Sequence, residues 1–486
     1  MSELRIVQAR VSLQPPTVTT DQPDLQTVQA LVFEPLVRWR DGRLLPGLAE
    51  SWRLTADGRG LLVRLREDAA FHDGSAVTVE DVVAAIETLR SGRDDFGMAG
   101  AYAPYLTPLQ LKPQSERELL LEGPGPSADL PEIRAAVAPG KRDGAGGWLG
   151  AGPYRVEESD RDRVRLSLVR KEARSPGRGA CRTVVFTALP EPEERLAALR
   201  GGSADVATGL EELVDGEADA GGGDLIWPRC TNTLSVTAFL NGSIPPFDRP
   251  EARLAVNLAV DVDRIVREVW GGLAERSATV VSPWHFGYPP RLAPQPHDPE
   301  RAARLFEGVP MPDELVIRTP LVTPERAVAV AKAIARDLAA IGIRVRIERQ
   351  PDRPLYAREV GLRQIGHMAL FDSSPLSTHR VLWEKVSGEA RGRWWQGVSD
   401  GEADRLIAAT RAATEPSERL AAYRACLRWL RNQPHWLYLY HPVRVYACRR
   451  DAPPVGMNHG GFLELPGMRR IDMRRIDMRR IDMRPG

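Results

Sequence analysis

The sequence predicts an α/β protein built from more than one domain, and three observations carry this. Its 486 residues exceed what a single ordinary core organises. The first hundred residues alternate apolar and polar side chains between Asp-Gly turns, as strands and hairpins do. Beyond residue 183, short β-branched runs alternate with stretches whose apolar residues recur at helical spacing, as strand–helix blocks do. Composition fits: 43% of residues are hydrophobic and 27% charged, as in soluble globular proteins. With 66 basic and 65 acidic residues the formal net charge is +1, so no nucleic-acid partner is expected. No uncharged apolar run reaches about 18 residues, so no membrane insertion is expected. The opening MSELRIVQARVSLQPP has neither the apolar core nor the small-residue cleavage site of a secretory signal. The expected location is the cytoplasm if the sequence is complete, and the periplasm or cell surface if it is a mature form.

In chain order, LVFEPLVRW (31–39) reads as an extended apolar run followed by a turn at Asp41-Gly42, and Asp57-Gly58 reads as the turn of a hairpin. Thr78 with Asp81 three residues on forms a capping-box-like start, and Val79, Val82, Val83, Ile86 and Leu89 then repeat at helical spacing. A helix is therefore predicted over 78–90. The stretch 122–156, rich in Gly and Pro, reads as loop and then strand, and 215–224 reads as a flexible surface loop. TVVFTAL and EPEERLAALRGG form a strand and a helix. TPERAVAVAKAIARDLAAIG is a helix closed by Gly342, leading into the strand IRVRIERQ. Residues 469–483 repeat RRIDM three times, a five-residue period that encodes no helix face. That tail is either a basic interaction segment or the duplication of an ordinary last strand.

His72-Asp73 invites a catalytic or metal reading. Yet Asp73 and Gly74 lie where a turn between strand and helix wants those residues for backbone reasons, and no second histidine stands within a helical turn. A structural turn is the expectation. Cys181, Cys230, Cys426 and Cys448 are too widely spaced for a CxxC-type site, and reduced cysteines are expected rather than Cys181–Cys230 or Cys426–Cys448 disulfides. The sequence contains no G-x-S-x-G, H-E-x-x-H, P-loop or G-x-G-x-x-G motif in context, which lowers an enzymatic reading without excluding it.

LVFEPLVRW…GRLLPGLAESWRLTADGRGLLVRLREDAAFHDGSAVTVEDVVAAIETL, GAGPYRV, NGSIPPFDRPEARLAVNLAVDVDRIV, HDPERAARLF and WWQGVSDGEADRLI occur in that order. Together they resemble the family-5 solute-binding proteins of bacterial ABC importers, which include dipeptide-, oligopeptide- and nickel-complex-binding proteins. The resemblance implies a periplasmic-binding-protein-like fold of type II, cluster C, with two α/β lobes and a hinged ligand cleft. Lobe I would span 1–235, with an extra subdomain at about 40–180, and be completed by 446–486. Lobe II would span 246–440, with hinge segments at about 236–245 and 441–445. The resemblance further implies a monomer without cofactor or metal that captures a small organic ligand, peptide-like in the first instance, for an ABC permease if exported. The alternative is a cytoplasmic sensing or biosynthetic protein, even an enzyme, on the same scaffold.

Site residues follow from the resemblance. In HMALFDSSPLSTHRVLW, Phe371 stands at the family's aromatic position and Asp372 is the acid that would receive a ligand amine, or else it caps a turn through Ser373 or Ser374. The mobile loop after this segment lacks the histidine of nickel-binding relatives, although His379 lies near its start. Arg134, beside Glu132, could grip a ligand carboxylate. Tyr102, Tyr105, Trp284, His285, Trp394 and Trp395 are the candidate aromatic wall, with the two tryptophans pointing oppositely if their stretch is extended. Gln26 and Thr27, placed just before the first helix, would line the cleft floor. His441 and His459 are expected to satisfy local hydrogen bonds.

Overall fold

The computed structural model describes the chain apart from residues 1–2, 17–21, 41–42, 93–98, 126, 128, 134–136, 145, 170–180, 215–223, 323, 374 and 466–486. Asp41-Gly42, Arg134, most of the 215–224 loop and the RRIDM repeats therefore lie outside the described residues. The chain divides into two compact units. One comprises Met1–Cys230 together with the chain from Arg444, and the other is Thr231–Val443.

Two larger sheets of the first unit have separate cores. In one, Glu3–Gln8 runs parallel to Thr183–Ala188 and Val206–Thr208, with Arg163–Leu168 and Tyr154–Ser159 completing one side. On the other side Val206 pairs with Cys448, in the last part of the strand Trp436–Arg449. Leu4, Ile6, Val184 and Phe186 pack there against Val28, Leu31 and Val32 of the helix Pro23–Val32. The second sheet is antiparallel, with Gly60–Leu65 between Ala49–Leu54 and Glu118–Glu122, and Gln110–Ser115 at the edge. Its apolar face is covered by Val79, Val82, Ile86 and Leu89 of the helix Val79–Ser91. That helix opens on a complete capping box: Asp81 N–H donates to Thr78 Oγ1, and Thr78 N–H donates to Asp81 Oδ2 at 2.8 Å. Gly58, in the 57–58 turn, takes φ +67°, which a hairpin turn demands of a residue without a Cβ.

The His72-Asp73-Gly74 segment is a turn. Gly74 has φ +87°, Ser75 N–H donates to Asp73 Oδ1 at 3.0 Å, and Lys141 pairs with Asp73 at 2.9 Å. His72 ties the turn to a neighbouring loop: Nδ1 accepts from Gly150 N–H at 3.3 Å, and Nε2–H donates to the Gly152 carbonyl at 3.2 Å.

In the second unit, the strand Ser235–Leu240 lies antiparallel between Met368–Ser373 and the first part of Trp436–Arg449. Leu315–Pro320 follows, parallel to Met368–Ser373 and to Val345–Gln350. Because side chains alternate across a sheet, Val236, Ala238, Leu240, Leu370, Leu437 and Leu439 enter one core with Val256, Val330 and Ile334 from helices Pro250–Ala259 and Ala327–Ala340. The intervening residues Phe239, Phe371 and Trp436 face the other way. The helix Ala327–Ala340 closes near Gly342, whose φ of +81° and bond from its N–H to the Ala339 carbonyl mark the stop.

Candidate ligand-binding site

The face of the second unit's sheet away from its helical core carries an aromatic ladder. Register sets Phe239 opposite Trp436, with centroids 5.1 Å apart, while Thr237 is opposite Phe371. Phe239 and Phe371 stack at 5.4 Å and 28°. Trp394 continues the ladder onto Phe371 at 5.0 Å, and the Arg393 guanidinium lies 4.7 Å over Trp394. Offset pairs of this kind add about 0.5–1.5 kcal/mol each beyond area burial, which fixes the strand end bearing Phe371 and Asp372.

Against this ladder lies an ion pair. Asp352 caps the helix Arg353–Gly361 by accepting from Leu355 N–H at 2.8 Å, which places Arg353 at the helix start. The Arg353 guanidinium sits 4.9 Å over the Phe371 ring and 3.4 Å from Asp372 Oδ1. Its Nε is buried without a hydrogen bond among the described residues. Tyr356, one turn on, is fully buried, and its hydroxyl donates to the Leu370 carbonyl at 2.6 Å, clamping helix to strand. Guanidinium and carboxylate thus stand side by side on an aromatic surface, a combination able to take a carboxylate, an ammonium, or both.

Phe371, Asp372 and Trp394 are therefore brought together. Trp395 is not part of the ladder: it follows a turn at Arg393–Trp394, its Nε1–H donates to the Val398 carbonyl at 2.7 Å, and Arg363 and Arg391 cover its ring. His285 is a buried strut. Nδ1 accepts from Ser282 Oγ–H at 2.8 Å, and Nε2–H donates to the Pro375 carbonyl at 2.8 Å, pinning the segment that follows Asp372. Thr378 adds a bond to the Phe286 carbonyl at 2.7 Å. Burial pushes the His285 imidazole down to about 4, so the ring is neutral near pH 7. Trp284 beside it is half-buried. His379 is buried and stacks on Trp383 with centroids 6.0 Å apart.

In the first unit, Gln26 and Thr27 lie inside the helix Pro23–Val32, not ahead of it. Pro23 starts that helix, because proline suits a first-turn position where the amide would be orphaned anyway. Thr27 is buried, and its hydroxyl donates to the Pro23 carbonyl at 2.9 Å while accepting from Leu463 N–H at 3.0 Å. Gln26 is half-buried. Tyr102 and Tyr105 pack against the core of the antiparallel sheet. No motif in the sequence singles out Arg353, Arg393, Phe239 or Tyr356. Each comes from a different stretch, and only the strand register and the start of the 353–361 helix converge them. His441 is buried, with Nδ1 3.2 Å from both Ser235 Oγ and the Leu234 carbonyl.

Residues 43–378 match the profile of the bacterial extracellular solute-binding proteins, family 5 (middle region). The chain belongs to this family. Di/tripeptide-binding protein 2 of Pseudomonas aeruginosa is 27% identical over 84% of this chain and 83% of its own length. The nickel-binding periplasmic protein of Escherichia coli is 25% identical over 85% and 84%. Among solved structures, the ABC transporter-associated periplasmic binding protein DppA from Helicobacter pylori in complex with the peptide STSA superposes with a TM-score of 0.74 at 19% identity, covering 96% of this chain and 98% of that one. NikA from Brucella suis in complex with Fe(III)-EDTA gives 0.77 at 19% identity, covering 94% and 97%. The fold is that of the family-5 periplasmic binding proteins, and the function is solute capture of the ABC-importer type. Among the described residues, no helix of this solute-binding protein is long and apolar enough to cross a membrane, and no three metal-ligating side chains cluster.

Proposed function

We propose that this family-5 protein captures a short peptide-like ligand outside the cytoplasm and hands it to an ABC permease, with the two units acting as the family's two lobes. The observation that carries the ligand class is the Arg353–Asp372 pair laid on the Phe371–Trp394 stack. A peptide presents an ammonium and a carboxylate, the two charges this pair complements, and apolar side chains suited to the ring surface. The matches to di/tripeptide-binding proteins support the same class. Arg353 already neutralises Asp372, so a ligand ammonium competes with it, while the buried Arg353 Nε still offers a donor to a ligand carboxylate.

The test is thermal unfolding against a library of di- and tripeptides. A true ligand at 100 times its dissociation constant stabilises the fold by about 2.7 kcal/mol, a shift of a few degrees. If no member of the library raised the midpoint, the peptide reading would fail.

A further inference from the structure

We propose that Cys230 is an activated thiol, paired with His459, that reacts with low-molecular-weight disulfides to form a mixed disulfide. The other three cysteines are buried, Cys181 and Cys448 in the first unit's core and Cys426 on a helix of the second unit. Cys230 differs in being only half-buried, on the short strand Arg229–Thr231 that pairs with Trp436–Arg449. Its Sγ lies 3.6 Å from His459 Nδ1, and that ring is also half-buried.

Register adds a cation. Ile226 stands opposite Cys448 in antiparallel pairing, and Tyr446 N–H donates to the Pro228 carbonyl at 3.3 Å. On the far side, Asn232 N–H donates to the Pro442 carbonyl at 2.8 Å. The same register sets Cys230 opposite Arg444, on one face of the pair, at a Cβ separation of about 5 Å. Arg444 also faces Glu211 at 3.9 Å. A thiol with an imidazole in contact and a guanidinium across the ladder has the surroundings that favour thiolate, the nucleophilic form. No metal reading is needed: two side chains fall short of the four ligands a zinc site takes.

The reaction balances without an outside oxidant other than the disulfide. With His459 protonated at Nε2, Nδ1 takes the Cys230 proton. The thiolate pair attacks one sulfur of the incoming disulfide, the old S–S bond breaks, and its electrons leave on the second sulfur. That sulfur recovers the proton from the imidazolium.

Native protein is incubated with glutathione disulfide and the adduct is located by peptide mass mapping, while the rate of release of the coloured thiolate from Ellman's reagent is followed on wild type, Cys230→Ser and His459→Gln. One adduct per chain is expected on Cys230, with the fast Ellman phase absent in Cys230→Ser and slowed about a hundredfold in His459→Gln, the low end of general-base effects. An adduct on another cysteine, no adduct at all, or an unchanged rate in His459→Gln would overturn the proposal. The mapping on wild-type protein does not depend on either variant folding.

Discussion

Asp372 and Arg353 illustrate how little an ion pair says about stability and how much about a site. Their side chains are only 17% and 28% exposed, so desolvation offsets most of the attraction across 3.4 Å, and the pair's net contribution to folding is on the order of 1 kcal/mol. Removing Asp372 from a ligand ammonium would instead cost a charged hydrogen bond, about 1.5–3 kcal/mol, or roughly 10- to 100-fold in affinity. Asp372→Ala should therefore leave the urea midpoint nearly unchanged while weakening a bound peptide by at least tenfold in calorimetric titration. Equal affinity for the variant and the wild type would remove Asp372 from the site. The acid was legible in the sequence through its neighbours in HMALFDSSP. Its partner was not, because Arg353 lies 19 residues upstream and reaches Asp372 only once helix 353–361 has docked on the sheet through Tyr356.

At the scale of elements, whatever rests on local chemistry could be read in advance. The capping box at Thr78 and Asp81, the turn at Asp57-Gly58 and the stop at Gly342 each involve residues within five positions of one another, and all three are present. Thr78→Ala removes the acceptor for Asp81 N–H and should lower stability by about 1 kcal/mol, read as a shift of the denaturant midpoint without a change of slope. A cost near zero would mean that water replaces the cap. Pairing that depends on tertiary register was illegible. Nothing in TAFL or WLYLY reveals that Phe239 meets Trp436 on one face while Ala238 meets Leu437 on the other. The start of the helix at 23–32 is illegible for a further reason. Gln22 gives it no side-chain cap, so no cap residue in the sequence marks that Gln26 and Thr27 lie inside it.

For the molecule as a whole, the two units carry groups of opposite proton linkage. In the unit Thr231–Val443, burial pushes His285 and His441 down to about 4 and His435 to about 3, from an ordinary 6.5. The unfolded chain then binds more protons than the folded one between roughly pH 6.5 and 4, so stability falls as pH drops through that window and levels off below it. Between pH 7.5 and 5 each histidine removes about 2 kcal/mol. In the other unit Asp24 is half-buried, and desolvation raises its pKa, against bonds from the Arg10 amide and Thr208. This group has the reverse sign: the folded state holds its proton more tightly, so its contribution is best at low pH and declines as pH rises. Acidification should thus loosen the central unit first. Urea titrations at pH 7.5 and 5, followed by tryptophan fluorescence and by far-ultraviolet circular dichroism, are expected to coincide at the higher pH. At pH 5 an earlier transition should separate, reported by Trp394 and Trp436. His285→Gln can still bond the Pro375 carbonyl but does not titrate, so it should lessen the acid loss by about 2 kcal/mol. The same acid loss in that variant as in the wild type would show that His285 does not carry the dependence.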